Sequence, residues 1–204
     1  MKTLAHRKGS DGPEIGERER QILDAATRVF QERGYDAATI QMIADEVGIL
    51  KGSLYYYIDT KEDLLYKIIH EVHRGLFEAM EEATREGDAL ERIEAFIEGH
   101  VRFIAENLPA IWVFLHDFRA LDADRREEIV AARDAYNGRL RDLLAEGQAA
   151  GAIRADLDLD LAVLGTFGMI NWMYEWYRPG GRKGPDEIGR AFASLAFEGI
   201  RSRA

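Results

Sequence analysis

The chain has 204 residues and no cysteine, which excludes disulfides, thiolate catalysis and cysteine-ligated metal sites. It is long enough to bury a real core, and it contains no run of about eighteen apolar residues that could span a bilayer. The net charge of −10 argues against nucleic-acid binding through bulk charge, but the excess acid lies beyond residue 61, since residues 1–61 carry nine Lys/Arg and ten Asp/Glu. The amino end is polar and unlike a signal peptide, so we expect a flexible arm over 1–16 on a soluble, cytoplasmic protein.

Residues 17–61 predict a compact head of three helices. The first helix, at about 17–33, has one apolar face and ends at Gly34. The second, at about 40–47, is amphipathic and ends at Gly48, where glycine tolerates the left-handed backbone that a sharp turn requires. A third helix then begins near Leu50. Two short helices around a glycine turn predict a helix-turn-helix.

The outward side of the third helix carries groups suited to a DNA duplex. Lys51 can pair with phosphate or guanine, Ser53 can bond base edges or phosphate, and tyrosine hydroxyls reach backbone oxygens. Gly52 removes a side chain where the helix would approach DNA closest. Thr39 caps the second helix and either serves as a cap alone or also binds a phosphate. The predicted DNA-binding residues are Thr39, Lys51, Gly52, Ser53, Tyr55, Tyr56 and Lys61.

A family resemblance rests on this segment. The run Gly-Ile-Leu-Lys-Gly-Ser-Leu-Tyr-Tyr-Tyr-Ile at 48–58, followed by Lys-Glu-Asp-Leu-Leu at 61–65, resembles the DNA-binding signature of the TetR family of bacterial repressors. Leu50 stands where that family often has a capping Ser or Thr. The absence of this cap costs ~1 kcal/mol of helix stability. Ile58 stands where the family often has Phe and retains the apolar character.

The rest of the chain predicts further helices. A fourth helix begins near Thr60, with Asp63 completing a partial capping box. Aspartates at helix starts and glycines and prolines at helix ends then predict helices at about 88–106, 109–119, 122–150, 157–177 and 184–203. The prediction is an all-α protein of about nine helices. It has an arm (1–16), a helix-turn-helix DNA-binding domain (17–61) and a helical ligand-binding and dimerisation domain (62–204).

The eighth predicted helix is apolar almost all round, so it must be covered on several sides at once. In TetR-like proteins the last two helices pack against the same two helices of a second copy. The resemblance therefore implies a homodimer through the last two helices. Its two recognition helices, about 34–36 Å apart, would contact successive major grooves of a palindromic double-stranded operator.

A second resemblance narrows the effector. The segment Gly-Ala-Ile-Arg-Ala-Asp-Leu-Asp-Leu-Asp at 151–160 and the run Trp-Tyr-Arg-Pro-Gly-Gly at 176–181 are similar to a TetR subgroup that controls fatty-acid or steroid catabolism. That subgroup responds to acyl-coenzyme A thioesters, so the resemblance implies an acyl-coenzyme A effector that releases the repressor from DNA. Taken alone, the run at 176–181 could also be only a helix stop, with an arginine at the negative end of the helix dipole.

An acyl chain requires an apolar tunnel, and coenzyme phosphates require cations at its mouth. Aromatic side chains of the body could line the tunnel, and Arg119 is the first candidate among the arginines, although such arginines are more often a solvated, paired face. Asn171 and Tyr174, polar groups in an apolar helix, would bond the ligand or satisfy each other. The predicted ligand-binding residues are Phe103, Trp112, Phe118, Arg119, Arg133, Tyr136, Phe167, Asn171 and Tyr174.

The sequence contains no nucleophile elbow, phosphate-binding loop or dinucleotide fingerprint, so we predict no catalytic residue and no cofactor. His70 and His73 have metal-like spacing without an assignable carboxylate partner, and we predict no metal site. Two alternatives stay open. One is a TetR-like repressor that senses another hydrophobic molecule, such as a drug or an aromatic compound. The more remote one is a helical acyl-thioester enzyme using His100 or His116.

Overall fold

The computed structural model describes residues 16–200, without the side chains of the last two, so the predicted arm lies outside the described residues apart from Gly16. Within this range the chain forms α-helices joined by turns and has no strand, which confirms the all-α prediction. The helices are α1 (Glu17–Arg33), α2 (Ile40–Val47), α3 (Lys51–Leu54), α4 (Lys61–Ala83), α5 (Ala89–Glu106), α6 (Leu108–Asp117), α7 (Ala123–Ala149), α8 (Leu159–Asn171), α9 (Met173–Trp176) and α10 (Pro185–Ile200). A short 3-10 helix, Phe118–Ala120, follows α6. Between residues 16 and 200, no helix combines the length and the apolar character needed to cross a membrane.

Side-chain caps explain where several helices begin. Thr39 Oγ1 accepts a hydrogen bond from the N–H of Met42 at the start of α2. Thr60 and Asp63 bond each other's backbone N–H groups at the start of α4, which confirms the predicted capping box. Asp88 likewise accepts from the N–H of Glu91 before α5.

Two predicted helices are shorter or interrupted. The third helix ends at Leu54, because Tyr56 and Tyr57 donate to carbonyls three residues back and form a turn instead of a further α-helical turn. The continuous eighth helix predicted over 157–177 is wrong. α8 ends at Asn171, Trp172 forms a turn, and the single turn of α9 follows.

The contacts divide the chain into two compact units. The first unit comprises residues 16–72 and 106–129, and the second comprises 73–105 and 130–200. The predicted domain boundary at residue 61 therefore falls inside the first unit, and α4 and α7 each contribute to both units. Phe30 and Leu65 are fully buried in the first unit, whereas Phe96 and Ile170 occupy the core of the second.

Candidate DNA-binding and effector sites

The helix-turn-helix is built on a glycine turn and two apolar contacts. Gly48 has φ +74° and ψ 39°, a left-handed conformation, and its N–H donates to the carbonyls of Ala44 and Asp45 at the end of α2. Leu54 and Ile58 are buried and hold the recognition segment in the first unit. Leu50 provides no side-chain cap for α3, as expected from its departure from the family pattern. The backbone therefore turns sharply and presents one side of residues 50–56 outward.

That outward side is open to solvent. Tyr56 is 87% exposed and Tyr55 is 47% exposed. Lys51, Gly52 and Ser53 are exposed as well. Residues 51–56 thus expose a cation, a hydroxyl and two phenols, groups that can hydrogen-bond to DNA phosphates and base edges.

Two of the predicted DNA-binding residues also have bonds inside the head. Thr39 Oγ1 accepts from Met42 N at 3.2 Å, which leaves its hydroxyl proton for another acceptor. Lys61 Nζ donates to the carbonyls of Tyr35 at 2.7 Å and Ala38 at 2.9 Å and lies 4.2 Å from the centroid of the Tyr35 ring. A phosphate contact by Lys61 would have to compete with these bonds.

Sequence reasoning missed a second lysine that fixes the recognition segment. Lys67 Nζ donates to Glu19 Oε1 at 2.6 Å and to the carbonyl of Tyr57 at 3.2 Å. Lys67 thereby joins α4, α1 and the turn that ends the recognition segment. Nothing in the local pattern indicates this role, because Glu19 lies 48 residues away in the sequence.

A polar cluster joins the first turns of α4 and α7 within the first unit. Arg125 Nη2 donates to Asp63 Oδ1 at 2.5 Å, and the guanidinium lies 5.0 Å from the centre of the Tyr66 ring. Tyr66 donates its hydroxyl to Glu128 at 2.7 Å. Burial, then this bond to Glu128, raises the pKa of Tyr66 to about 12, so the phenol stays protonated and keeps donating.

In the second unit, a buried polar group lies among aromatic rings. Tyr136 Oη lies 3.1 Å from His100 Nδ1, and both residues are almost completely buried. Burial lowers the pKa of His100 to about 3, while a hydrogen bond with Asn171 acts in the opposite direction, so the imidazole is neutral. The ring of Phe167 lies 5.6 Å from that of Tyr136. Three predicted ligand residues, Tyr136, Phe167 and Asn171, therefore belong to one cluster around His100, a residue considered only for the enzyme alternative.

The other predicted ligand residues do not join this cluster. Within the second unit, Phe103 lies against Gly75, Tyr174 lies 6.3 Å from the Trp172 ring, and Arg133 is exposed and paired with the adjacent Asp134. Trp112, Phe118 and Arg119 belong to the first unit. Trp112 stacks on His116 with ring centres 4.2 Å apart, Phe118 lies 6.3 Å from Phe114, and Arg119 is exposed on the 3-10 helix.

The arginine of the Trp-Tyr-Arg-Pro-Gly-Gly run has backbone partners. Arg178 Nη1 donates to the carbonyls of Glu175 at 2.9 Å and Tyr177 at 2.8 Å. These bonds satisfy carbonyls at the end of α9, the position where a cation is favourable for the helix dipole. The geometry of Arg178 therefore fits the interpretation of this run as a helix stop.

Comparison with known proteins places this architecture in a family. Residues 22–68 match the family described as bacterial regulatory proteins, tetR family, and residues 86–200 match the tetracyclin repressor-like C-terminal domain. The chain belongs to the TetR family. It is a transcriptional regulator of that family, and the matched N-terminal segment contains the recognition surface described above.

Three relatives indicate what this TetR-family protein is similar to. The HTH-type transcriptional repressor KstR2 of Rhodococcus jostii (strain RHA1) is 30% identical over 91% of this chain and 92% of the relative. The fatty acid metabolism regulator protein of Bacillus subtilis (strain 168) is 32% identical over 74% of this chain and 78% of its own length. The crystal structure of AibR in complex with isovaleryl coenzyme A and operator DNA has a TM-score of 0.81 and 26% identity, and covers 89% of this chain and 98% of the AibR chain.

Proposed function

We propose that this TetR-family regulator is a cytoplasmic, homodimeric repressor. It binds a palindromic operator in double-stranded DNA and is released from it by an acyl-coenzyme A thioester. The observation that carries the DNA-binding part is the exposed surface at 50–56, positioned by the left-handed Gly48 and by buried Leu54 and Ile58. A surface of this composition on a short helix after a glycine turn fits the major groove, where side chains contact base edges and phosphates.

The dimer part is supported by an exposed apolar stripe in the second unit. On α8 and the turn after it, Leu161, Leu164 and Trp172 are each more than 60% exposed and recur at helical spacing on one side. On α10, Leu195 is 61% exposed. α8 and α10 pack together within the second unit. Exposed apolar groups of this size typically mark an interaction surface, and a second copy of the same two helices would cover them.

The effector part is supported by relatedness and by the aromatic core of the second unit. AibR was crystallised with isovaleryl coenzyme A and operator DNA, and a second relative is a fatty acid metabolism regulator. The second unit of this chain contains a cluster of aromatic rings with a neutral polar group at its centre. Release requires only that the effector bind the DNA-free state more tightly, with a coupling free energy typically of about 1–3 kcal/mol.

The DNA-binding part is tested by salt-dependent operator affinity. The probe is a labelled duplex from the region upstream of the protein's own gene, titrated by fluorescence anisotropy at several salt concentrations. We expect Lys51→Ala to weaken binding and to reduce the salt slope by about one, and Tyr56→Ala to weaken binding as well. Lys183→Ala is the matched control, since this exposed lysine pairs with Glu187 in the second unit. Unchanged affinity in both recognition variants would refute the assignment.

The effector part is tested by operator release. A gel-shift titration compares long-chain acyl-coenzyme A with its two halves, the free fatty acid and coenzyme A. We expect release by the thioester at concentrations where neither half acts. If aromatic compounds without coenzyme A release the operator and thioesters do not, the effector class is wrong while the repressor assignment stands.

A further inference from the structure

Leu50 is an exposed aliphatic residue at the start of the recognition segment. Its side chain is 80% exposed, whereas the other leucines described in the first unit are buried or half-buried. Leu50 occupies the N-cap position of α3, with φ −68° and ψ 140°, and its side chain makes no cap hydrogen bond. The carbonyl of Leu50 accepts from the N–H of Ser53 at 2.9 Å, so the backbone alone begins the helix. The side chain of Leu50 therefore contributes little to the fold of the head.

The exposed apolar surface of the first unit is concentrated around this position. Among the described residues of that unit, the large apolar or aromatic side chains that are exposed all belong to the helix-turn-helix: Met42, Leu50, Tyr55 and Tyr56. The two tyrosines can hydrogen-bond to water through their hydroxyls, but the leucine cannot. Leu50 is also nearly twice as exposed as Met42, which is 44% exposed. Leu50 thus has the most aliphatic surface to gain from an apolar partner.

The position of Leu50 makes base edges the natural partner. In helix-turn-helix proteins the recognition helix enters the major groove, and its N-terminal residues contact base edges. Glycines stand two residues before and two residues after Leu50, at Gly48 and Gly52. A Cβ added at either glycine would meet nothing within 4 Å, so the surface on both sides of Leu50 is open. A duplex can therefore approach the Leu50 side chain closely.

The major groove offers one kind of apolar group to such a side chain. Guanine, adenine and cytosine present only hydrogen-bond donors and acceptors there, whereas thymine also presents its C5-methyl group. A leucine side chain neither donates nor accepts, so contact with the first three bases would cover polar atoms without replacing their hydrogen bonds to water. Contact with the thymine methyl group would instead remove apolar surface of both groups from water. The chemistry of leucine therefore selects thymine.

We propose that Leu50 contacts the C5-methyl group of a thymine in each operator half-site and makes that base pair a determinant of specificity. Leu50 then serves recognition at a position where the family often has a capping Ser or Thr. This inference rests on the proposed function, because it requires that residues 50–56 bind the operator.

Removal of the thymine methyl groups tests the contact. The labelled duplex from upstream of the protein's own gene is synthesised in two forms, one with thymidine and one with deoxyuridine at every such position. Uracil pairs with adenine as thymine does and lacks only the C5-methyl group. Fluorescence anisotropy with the full-length protein gives the dissociation constant of each form, and the uracil value divided by the thymine value defines a methyl ratio.

The comparison of wild type with Leu50→Ala isolates the contribution of Leu50. We expect the methyl ratio of wild type to exceed that of Leu50→Ala roughly fifteenfold, about fourfold for one methyl contact in each of two half-sites. Effects of uracil on the shape of the duplex, or on contacts by other residues, are common to both proteins and cancel in this comparison. Equal methyl ratios would overturn the inference.

Two further variants separate recognition from folding. Leu50→Ser places a capping side chain at the start of α3 and should raise the melting temperature, yet it should show the low methyl ratio of Leu50→Ala. Met42→Ala is the matched control, because it removes another exposed aliphatic side chain of the helix-turn-helix, and it should keep the wild-type ratio. A wild-type ratio in Leu50→Ser would contradict a direct contact.

Replacement of the thymidines one at a time locates the base pair. We expect one thymine in each half-site to account for the difference between wild type and Leu50→Ala, and a difference spread evenly over many thymines would count against the inference. If the thymine duplex is bound but the methyl ratio does not depend on residue 50, only the assignment of Leu50 fails. If wild type does not bind the thymine duplex, the proposed function and this inference fail together.

Discussion

Arg125 Nη2, at the start of α7, lies 2.5 Å from Asp63 Oδ1 in the first turn of α4. The other oxygen of Asp63 accepts hydrogen bonds from the backbone N–H groups of Asp59 at 3.0 Å and Thr60 at 2.7 Å. One carboxylate therefore joins α7 to the segment that directly follows the recognition residues. We infer that this contact stabilises the position of the recognition segment in the first unit.

Replacing Arg125 with methionine should lower the free energy of unfolding by about 1–2 kcal/mol near neutral pH, because Asp63 loses a charged hydrogen-bond donor. Burial acts to raise the pKa of Asp63, but hydrogen bonds from Arg125 and Thr60 outweigh it and lower the pKa below the ordinary 3.8. A carboxyl group whose pKa is lowered by folding stabilises the folded state at pH values above its pKa in the unfolded chain. This stabilisation is lost as the pH falls through the pKa of the folded state. The difference between wild type and Arg125→Met should therefore shrink below about pH 4.

Denaturant unfolding over a pH series measures this difference. Arg133→Met is the control on the same helix, since Arg133 is exposed and pairs only with its neighbour Asp134 among the described residues. A difference for Arg125→Met that stays constant down to pH 2 would show that the ion pair with Asp63 is not its cause.

Two glycines near the recognition segment should respond differently to alanine. Gly48 has φ +74°, so alanine there is strained and should cost about 1–2 kcal/mol of stability. Gly52 has an ordinary φ and nothing within 4 Å of an added Cβ, so alanine should leave the fold unchanged. If Gly52 faces DNA closely, Gly52→Ala should still weaken operator binding severalfold. Thermal melting and anisotropy titration of both variants distinguish the two roles, and full operator affinity in Gly52→Ala would contradict the predicted close approach.

Lys61 should act through the fold of the head. Its ammonium bonds the carbonyls of Tyr35 and Ala38, which lie between α1 and α2. Lys61→Met keeps most of the aliphatic stem and should lower the melting temperature while leaving the salt slope of operator binding unchanged. Lys51→Met provides the comparison, with an unchanged melting temperature and a slope reduced by about one. A reduced slope in Lys61→Met would instead establish a phosphate contact.

Local rules were sufficient to predict much of this structure from sequence. The caps by Thr39, Thr60 and Asp88 each join residues three apart, so their patterns are visible in the sequence. The turn at Gly48 and the buried Leu54 and Ile58 follow from the same kind of local pattern.

The contacts that the sequence did not predict are long-range. Arg125 and Asp63 are 62 residues apart, and His100 and Tyr136 are 36 residues apart. Whether an arginine on an amphipathic helix faces solvent or a carboxylate depends on which helix packs beside it. The apolar residues that recur through Trp172 predict a continuous eighth helix, because hydrophobic periodicity does not report a local change of hydrogen bonding.

The apolar stripe on α8 should control the oligomeric state. Leu164 is 63% exposed, and placing a carboxylate there would desolvate a charge within the proposed interface. Leu164→Glu should therefore yield a monomer by sedimentation velocity and reduce operator affinity at least tenfold, because only one recognition segment then contacts the duplex. Ala131→Glu introduces the same charge at an exposed position of α7 and should leave the dimer intact. A dimeric Leu164→Glu protein would exclude this stripe as the interface.

Burial of His100 should make stability depend on pH below neutrality. Its pKa falls from the ordinary 6.5 to about 3 in the folded state, chiefly through burial. Between these values the unfolded chain binds one proton more than the folded chain, so this group reduces stability by about 1.4 kcal/mol for each pH unit below about 6.5. At pH values above the pKa of His100 in the unfolded chain, this group does not reduce the stability of the fold, and the stability declines as the pH falls below that value.

His100→Gln removes this titration, so the variant should be less stable than wild type at pH 7 yet lose less stability between pH 6.5 and pH 4.5. Chemical unfolding at several pH values in that window gives the two slopes. His70→Gln, at an exposed position of α4, tests whether the effect belongs to the buried histidine. Parallel slopes for wild type and His100→Gln would mean that the His100 ring is already protonated or hydrated in the folded protein, in which case it could not hold Tyr136 as a neutral partner.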